Sequence, residues 1–168
     1  MSGTSLDGVD VVAFDMAQQS FVGAYSVAFN ESLRDDCLAL QAPQENEIAH
    51  AQIVANQLAD LYAQAINQLR QNLSLTHESI AAAGVHGQTI RHRPEHGYTI
   101  QLNQPARIAE QTGLTVVSDF RARDIAAGVV GASACVKRQV VTACRRTWPC
   151  RCRWCASGKC GCVCVSAV

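Results

Sequence analysis

Acidic side chains run out early. All 14 of them lie at or before Asp124, and none occurs in the rest of the 168-residue chain. Cysteine shows the reverse absence: of nine, only Cys37 lies outside the C-terminal region. No apolar run approaches the roughly 18 residues needed to cross a bilayer, so no membrane-spanning helix and no membrane partner is expected. A basic leader followed by an apolar stretch is missing too, which removes the signature of secretion and points to the cytoplasm. There is no Gly-x4-Gly-Lys-Ser/Thr stretch, and a Walker-type phosphate loop is thereby excluded.

Two compositions share the chain. Seven of the 14 basic residues fall up to Arg123 and seven from Lys137 onward, so the body carries −7 and the tail +7. The break lies near Gly128. Residues 1–128 read as one domain with enough apolar material for a core, the whole chain being 48% hydrophobic. Residues 129–168 read as a Cys- and Arg-rich tail expected to lack structure.

In the body, "VDVVAFDM" and "SFVGAYSVAF" have the β-branched character of strands joined by a polar turn. "NESLRDDCLALQAP" predicts a short helix with Asn30 as N-cap and Pro43 near its stop. From Glu45 to about Asn72 the apolar residues Val54, Leu58, Leu61, Ala65 and Leu69 recur at helical spacing on one face. "SIAAAGVHG", "YTIQL" and "LTVVSDF" read as further strands. "QPARIAEQTG" reads as a helix with Pro105 in its first turn and Gly113 at its stop. Alternating strands and helices predict an α/β domain with a mixed sheet.

Three polar clusters sit at predicted strand ends, where ligand sites form. In Gly3-Thr4-Ser5-Leu6-Asp7-Gly8, glycines allow close approach, and backbone N–H groups and hydroxyls suit phosphate oxygens. Asp7 or Asp10 is placed to reach Mg²⁺ directly or through water. A merely polar hairpin turn is the competing reading. The second cluster, "GVHGQTIRHRP", offers His86, Gln88 and Thr89 to a polyhydroxylated ligand, while Arg91–His96 reads as a solvated loop. His86 and His92 make no zinc spacing with a nearby cysteine, so no metal site is expected there. The third, "SDFRARDIAAG", supplies Asp119, Arg121, Arg123 and Asp124; two arginines suit a carboxylate or phosphate. A local ion-pair network is its alternative.

In order and spacing, "MSGTSLDGVD", "GVHGQTIRHRP" with "YTIQLNQPARIAEQTG", and "LTVVSDFRARDIAAG" resemble the anhydro-N-acetylmuramic acid kinases over residues 1–128. The resemblance implies an actin-like, sugar-kinase (ribonuclease H-like) N-terminal lobe. It implies ATP- and Mg²⁺-dependent phosphorylation of 1,6-anhydro-N-acetylmuramic acid with ring opening to N-acetylmuramic acid 6-phosphate, a step of cell-wall recycling. Under it, Gly3, Thr4, Ser5, Leu6, Asp7, Gly8, Val9 and Asp10 serve the nucleotide. His86, Gln88, Thr89, Arg121, Arg123 and Asp124 lie near the sugar and its lactyl carboxylate. The implied partners are an amino sugar and a nucleotide, not nucleic acid, with a homodimer as the assembly of an intact enzyme.

The chain departs from that pattern in three places. The family carries a strand ahead of "MSGTS", whereas Met1 here falls inside the motif. A glycine-rich "GGQGAPLVPAFH"-like segment is replaced by "GVVGASACVKRQVV". The family's second lobe and its aspartate base lie beyond the matching region, so no residue here takes the base role, and an inactive remnant is the alternative function. In the tail, Cys152-x2-Cys155 and Cys160-x-Cys162-x-Cys164 suggest a metal cluster, but a structural zinc site wants two separated pairs. The tail's arginines would bind nucleic acid only non-specifically. A shifted reading frame past Gly128 is the preferred account of the tail.

Overall fold

A computed structural model describes residues 6–128 together with the backbone of residues 161–167. Among the described residues, seven strands and four α-helices follow one another. They are β1 (Gly8–Asp15), β2 (Ser20–Ala28), α1 (Glu31–Ala39), α2 (Glu47–Asn72), β3 (Ile80–Val85), β4 (Gln88–Arg93), β5 (Tyr98–Leu102), α3 (Pro105–Thr112), β6 (Val116–Val117), α4 (Phe120–Ala126) and β7 (Gly161–Ala167). The mixed α/β class expected from the sequence is what forms.

Five strands make one sheet in the order β2-β1-β7-β3-β6, and β4 and β5 make a separate hairpin. β1 is antiparallel to both β2 and β7, while β7, β3 and β6 run parallel. Alternation sets the two faces of β1. Val9, Val11 and Ala13 are buried, while Asp10, Val12 and Phe14 on the opposite face are half-buried.

α2 covers the buried face. Val54, Leu58, Tyr62, Ala65, Ile66 and Leu69 form one cluster with Val9, Val11 and Ala13 of β1 and Ile80, Ala83 and Val85 of β3. Each fully buried Val, Leu or Ile side chain there contributes about 1.5–3 kcal/mol of burial free energy. Leu61, the remaining member of the predicted stripe, is only partly buried at the margin. α1 starts where expected: the Asn30 side chain accepts a 2.8 Å bond from the Leu33 amide, satisfying one orphan donor. α3 starts at Pro105 and stops at Gly113, whose φ of +67° is the left-handed conformation that ends helices.

Two expectations need correction. The tail was expected to be wholly without structure, yet Gly161–Ala167 is a strand, paired on both sides in the centre of the main sheet. The physical reason is the gap between β1 and β3, whose facing backbone groups demand partners; a short valine-containing segment supplies them. The assignment of residues 129–160 to a disordered or frame-shifted tail lies outside the described residues. Second, Arg91–Arg93 belongs to a strand rather than a loop, whereas Glu95 and His96 are exposed in the connecting turn, as expected. Gln88–Arg93 pairs with β5, and a single 3₁₀ turn at Pro94–His96 closes the hairpin. Arg91 is fixed by Glu47, so its backbone stays extended against the body.

Candidate functional site

The sheet register brings the three polar bends to one end. Val11 of β1 lies opposite Val165 of β7, which lies opposite Val85 of β3. Because β1 runs against β3, the segment entering β1 and the segment leaving β3 emerge at the same edge. Asp10 and His86 each sit one residue past that row, two strands apart, roughly 10 Å at about 4.8 Å per strand. On the far side Val117 pairs with Gly84, so β6 also ends here, and Asp119 turns the chain into α4 with a φ of +61°.

Entering β1, Leu6 and Val9 are buried in the core, so their side chains are committed to packing. Asp7 is exposed. A side chain at Gly8 would clash with the Val27 carbonyl oxygen, so the close approach of β2 already demands glycine here. One Asp10 carboxylate oxygen accepts a bond from the Ser26 hydroxyl at 2.5 Å. Gly3, Thr4 and Ser5 lie outside the described residues.

Leaving β3, the chain bends at Gly87, with φ +77° and no room for a Cβ beside the Leu102 carbonyl at 2.6 Å. His86 Nδ1 lies 2.7 Å from the Gly87 carbonyl oxygen. A carbonyl only accepts, so Nδ1 carries the proton and Nε2 presents a lone pair. Arg121 Nε donates to that lone pair at 2.9 Å. Burial, opposed by the Gly87 bond and aided by the Arg121 charge, holds His86 below its usual pKa, so it is neutral at pH 7.

The other expected residues distribute unevenly. Gln88 is buried; its amide donates to the Thr89 carbonyl at 3.2 Å, and its Oε1 has no partner among the described residues. The Thr89 hydroxyl is engaged across the hairpin by Gln101 at 3.2 Å. Arg121 and Arg123 stand two apart on α4 and therefore point in different directions. Arg121 is half-buried against His86, Arg123 is exposed, and neither Arg123 nor Asp124 makes a side-chain hydrogen bond among the described residues. The structure thus joins His86 to Arg121 but does not pair the two arginines.

One residue at this corner was missed. The Asn103 amide donates to the Val85 carbonyl at 3.3 Å, and its Oδ1 is buried without a partner among the described residues. Two buried acceptors, on Gln88 and Asn103, therefore lie beside the same bend without a partner among the described residues. The signal available was an asparagine directly after a strand and just ahead of a proline-started helix.

Comparison with known proteins adds the lineage. The family described as anhydro-N-acetylmuramic acid kinase matches residues 1–145. The chain belongs to this family. The match runs past Gly128, where the compositional break had suggested that the resemblance ends. The anhydro-N-acetylmuramic acid kinase of Burkholderia cenocepacia is 51% identical over 135 residues, covering 79% of this chain and 35% of the relative. That of Bordetella pertussis is 48% identical over 134 residues with the same coverage. The chain spans about a third of the length of the curated relatives it matches. No helix among the described residues is long and apolar enough to cross a membrane.

Proposed function

We propose that the chain forms the substrate-gripping part of an actin-like kinase lobe that acts on 1,6-anhydro-N-acetylmuramic acid with ATP in the cytoplasm. The observation that carries this reading is the family match together with the convergence of the three bends on one sheet edge. In the proposed reaction, the oxygen of water adds to C1 of the anhydro-sugar and the C1–O6 bond breaks. O6 then takes the γ-phosphoryl group of ATP, giving N-acetylmuramic acid 6-phosphate and ADP.

The parts divide by chemistry. The Leu6–Asp10 segment offers main-chain groups and two carboxylates to the nucleotide end. Gln88 and Asn103 shape the bend that would receive the sugar, and Arg121 offers a cation to the lactyl carboxylate. Among the described residues no three His, Cys, Asp or Glu side chains gather into a metal cage. The exposed Asp7 and the half-buried Asp10 at the entry to β1 fit Mg²⁺, which is commonly held by one or two carboxylates and substrate phosphates. Asp7 or Asp10 would hold it, directly or through water, and bound there it would neutralise phosphate charge. The resemblance places the aspartate base outside the matching residues, so the 168-residue chain is proposed to bind without turning over.

Calorimetric titration of the chain with the anhydro-sugar, and an ADP-release assay with Mg-ATP, test both parts. Binding without ADP release is expected. Absence of any sugar binding overturns the proposed site, and steady ADP release overturns the inactive reading.

A further inference from the structure

We propose that His86 is a positioning residue: its neutral imidazole, with Nδ1–H given to the Gly87 carbonyl, holds Arg121 through Nε and aims both Nη groups at a ligand anion. The inference rests on the reading above that this corner receives the sugar acid, but its central contact is internal to the protein.

Arginines are usually oriented by carboxylates. Arg121 has no carboxylate partner among the described residues, whereas Arg91 pairs with Glu47 and Arg107 with Asp60. A carboxylate would cancel the guanidinium charge before any ligand arrived. A neutral imidazole fixes the group and leaves the charge intact. Use of Nε leaves the Nη1–Nη2 end free, and that end matches the two oxygens of a carboxylate or phosphate. The lone pair on Nε2 exists only because Nδ1 is committed to Gly87 at 2.7 Å.

The surroundings set how the device responds to pH. Arg121, on α4, is the charged group that contacts the ring. The other charged residues around α4 (Asp119, Arg123 and Asp124) make no hydrogen bond or ion pair to it, and Arg91 of β4 is engaged with Glu47. β5, Tyr98–Leu102, carries no charged residue. Protonation of Nε2 would remove the acceptor and set two cations 2.9 Å apart, so Arg121 would swing away. Anion binding should therefore fall on mild acidification.

The test uses the full 168-residue chain. Nitrogen-15 spectra of the histidine rings, with the His86 signals assigned by their loss in His86→Gln, should show Nδ1 protonated and Nε2 bare at neutral pH. Titrations with 1,6-anhydro-N-acetylmuramic acid, and with sulfate as an anion that does not titrate, should weaken from about pH 7.5 to about pH 5.5 by up to about tenfold, the scale of one charge-assisted hydrogen bond lost as the ring takes up its proton. His86→Gln retains an acceptor for Arg121 and should bind with little pH dependence; Arg121→Met should bind weakly at both pH values. An Nε2–H tautomer in the wild-type spectra overturns the proposal, as does a His86→Gln variant that keeps the wild-type pH dependence. If the tautomer is as expected and sulfate binding follows pH while the sugar does not bind, the positioning role stands and the substrate reading fails.

Discussion

Arg91 of β4 donates from Nη2 to Glu47 at 2.6 Å and from Nη1 to the carbonyl oxygen of Leu40. One guanidinium thereby ties the β4–β5 hairpin to the end of α1 and the start of α2. The carbonyl just past α1 would otherwise lack an intrahelical donor, and Glu47 occupies the first turn of α2, where negative charge is favoured. The Arg91 side chain is 12% exposed and that of Glu47 30%, so water screens the pair only in part.

Replacing Arg91 with Met keeps the aliphatic stem but leaves the Leu40 carbonyl and Glu47 without their partner. The expected loss is about 1–3 kcal/mol in chemical denaturation, the usual cost of stranding part-buried polar groups. Arg91→Lys, with one point-like donor, should fall between the two. A Met variant as stable as the wild type would show that the hairpin is held by packing alone.

Tyr62 gives the opposite expectation. It is fully buried under the sheet, and its hydroxyl has no partner among the described residues. Burial pushes its pKa upward, with Cys37 adding to the shift, so it stays neutral and brings only an unpaired O–H to the core. Tyr62→Phe removes that group with little change in volume. The melting temperature should hold or rise, by up to about 1 kcal/mol in stability. A clear drop would reveal a partner for the hydroxyl.

Cys37 should be chemically silent in the native protein. It is fully buried on α1, and burial followed by the neighbouring Asp36 charge raises its thiol pKa from 9.0 to about 11. The thiolate is the reactive form, so almost none exists at pH 8. Peptide mapping after iodoacetamide treatment should find Cys37 unmodified in buffer and alkylated in denaturant. Modification in buffer would mean that α1 opens readily.

Acid should weaken the fold through His86. Its folded pKa lies below the ordinary 6.5, so the unfolded chain takes up the proton first as pH falls. The contribution is complete above about pH 6.5 and is lost as pH drops towards and through the folded value. Urea midpoints should therefore decline over that interval, and His86→Gln should flatten that part of the profile. An unchanged slope in the variant would assign the effect to other groups.

Local chemistry made much of this architecture legible. The Asn30 cap, the Pro105 start, the Gly113 stop and the α2 stripe are each decided by a few adjacent residues, and each formed as read apart from Leu61 at the margin of the stripe. The His86–Arg121 contact spans 35 positions and depends on β3 and β6 lying side by side, which no local pattern encodes. The two arginines of "RARD" looked like a clamp because the sequence does not reveal that they fall within a helix. Asn103 escaped notice because its burial comes from the bend at Gly87 rather than from its own neighbours.

β7 is the element that residue composition argued against most strongly, and it carries the largest structural consequence. It pairs with β1 from Val9 to Asp15 and with β3 from Ile80 to Val85. Without it, β2-β1 and β3-β6 are separate pairs, and the alignment of Asp10 with His86 rests on packing against α2 rather than on a shared ladder. A central strand uses its backbone donors on both sides, so proline at Val163 must remove a ladder bond wherever that N–H points. Val163→Pro should cost at least about 1–3 kcal/mol from the stranded carbonyl alone. Hydrogen exchange should accelerate at the backbone amides of β1 and β3 together, while those of the β4–β5 hairpin stay protected. If exchange in β1 and β3 is unchanged, the two halves of the sheet are held by α2 without the strand between them.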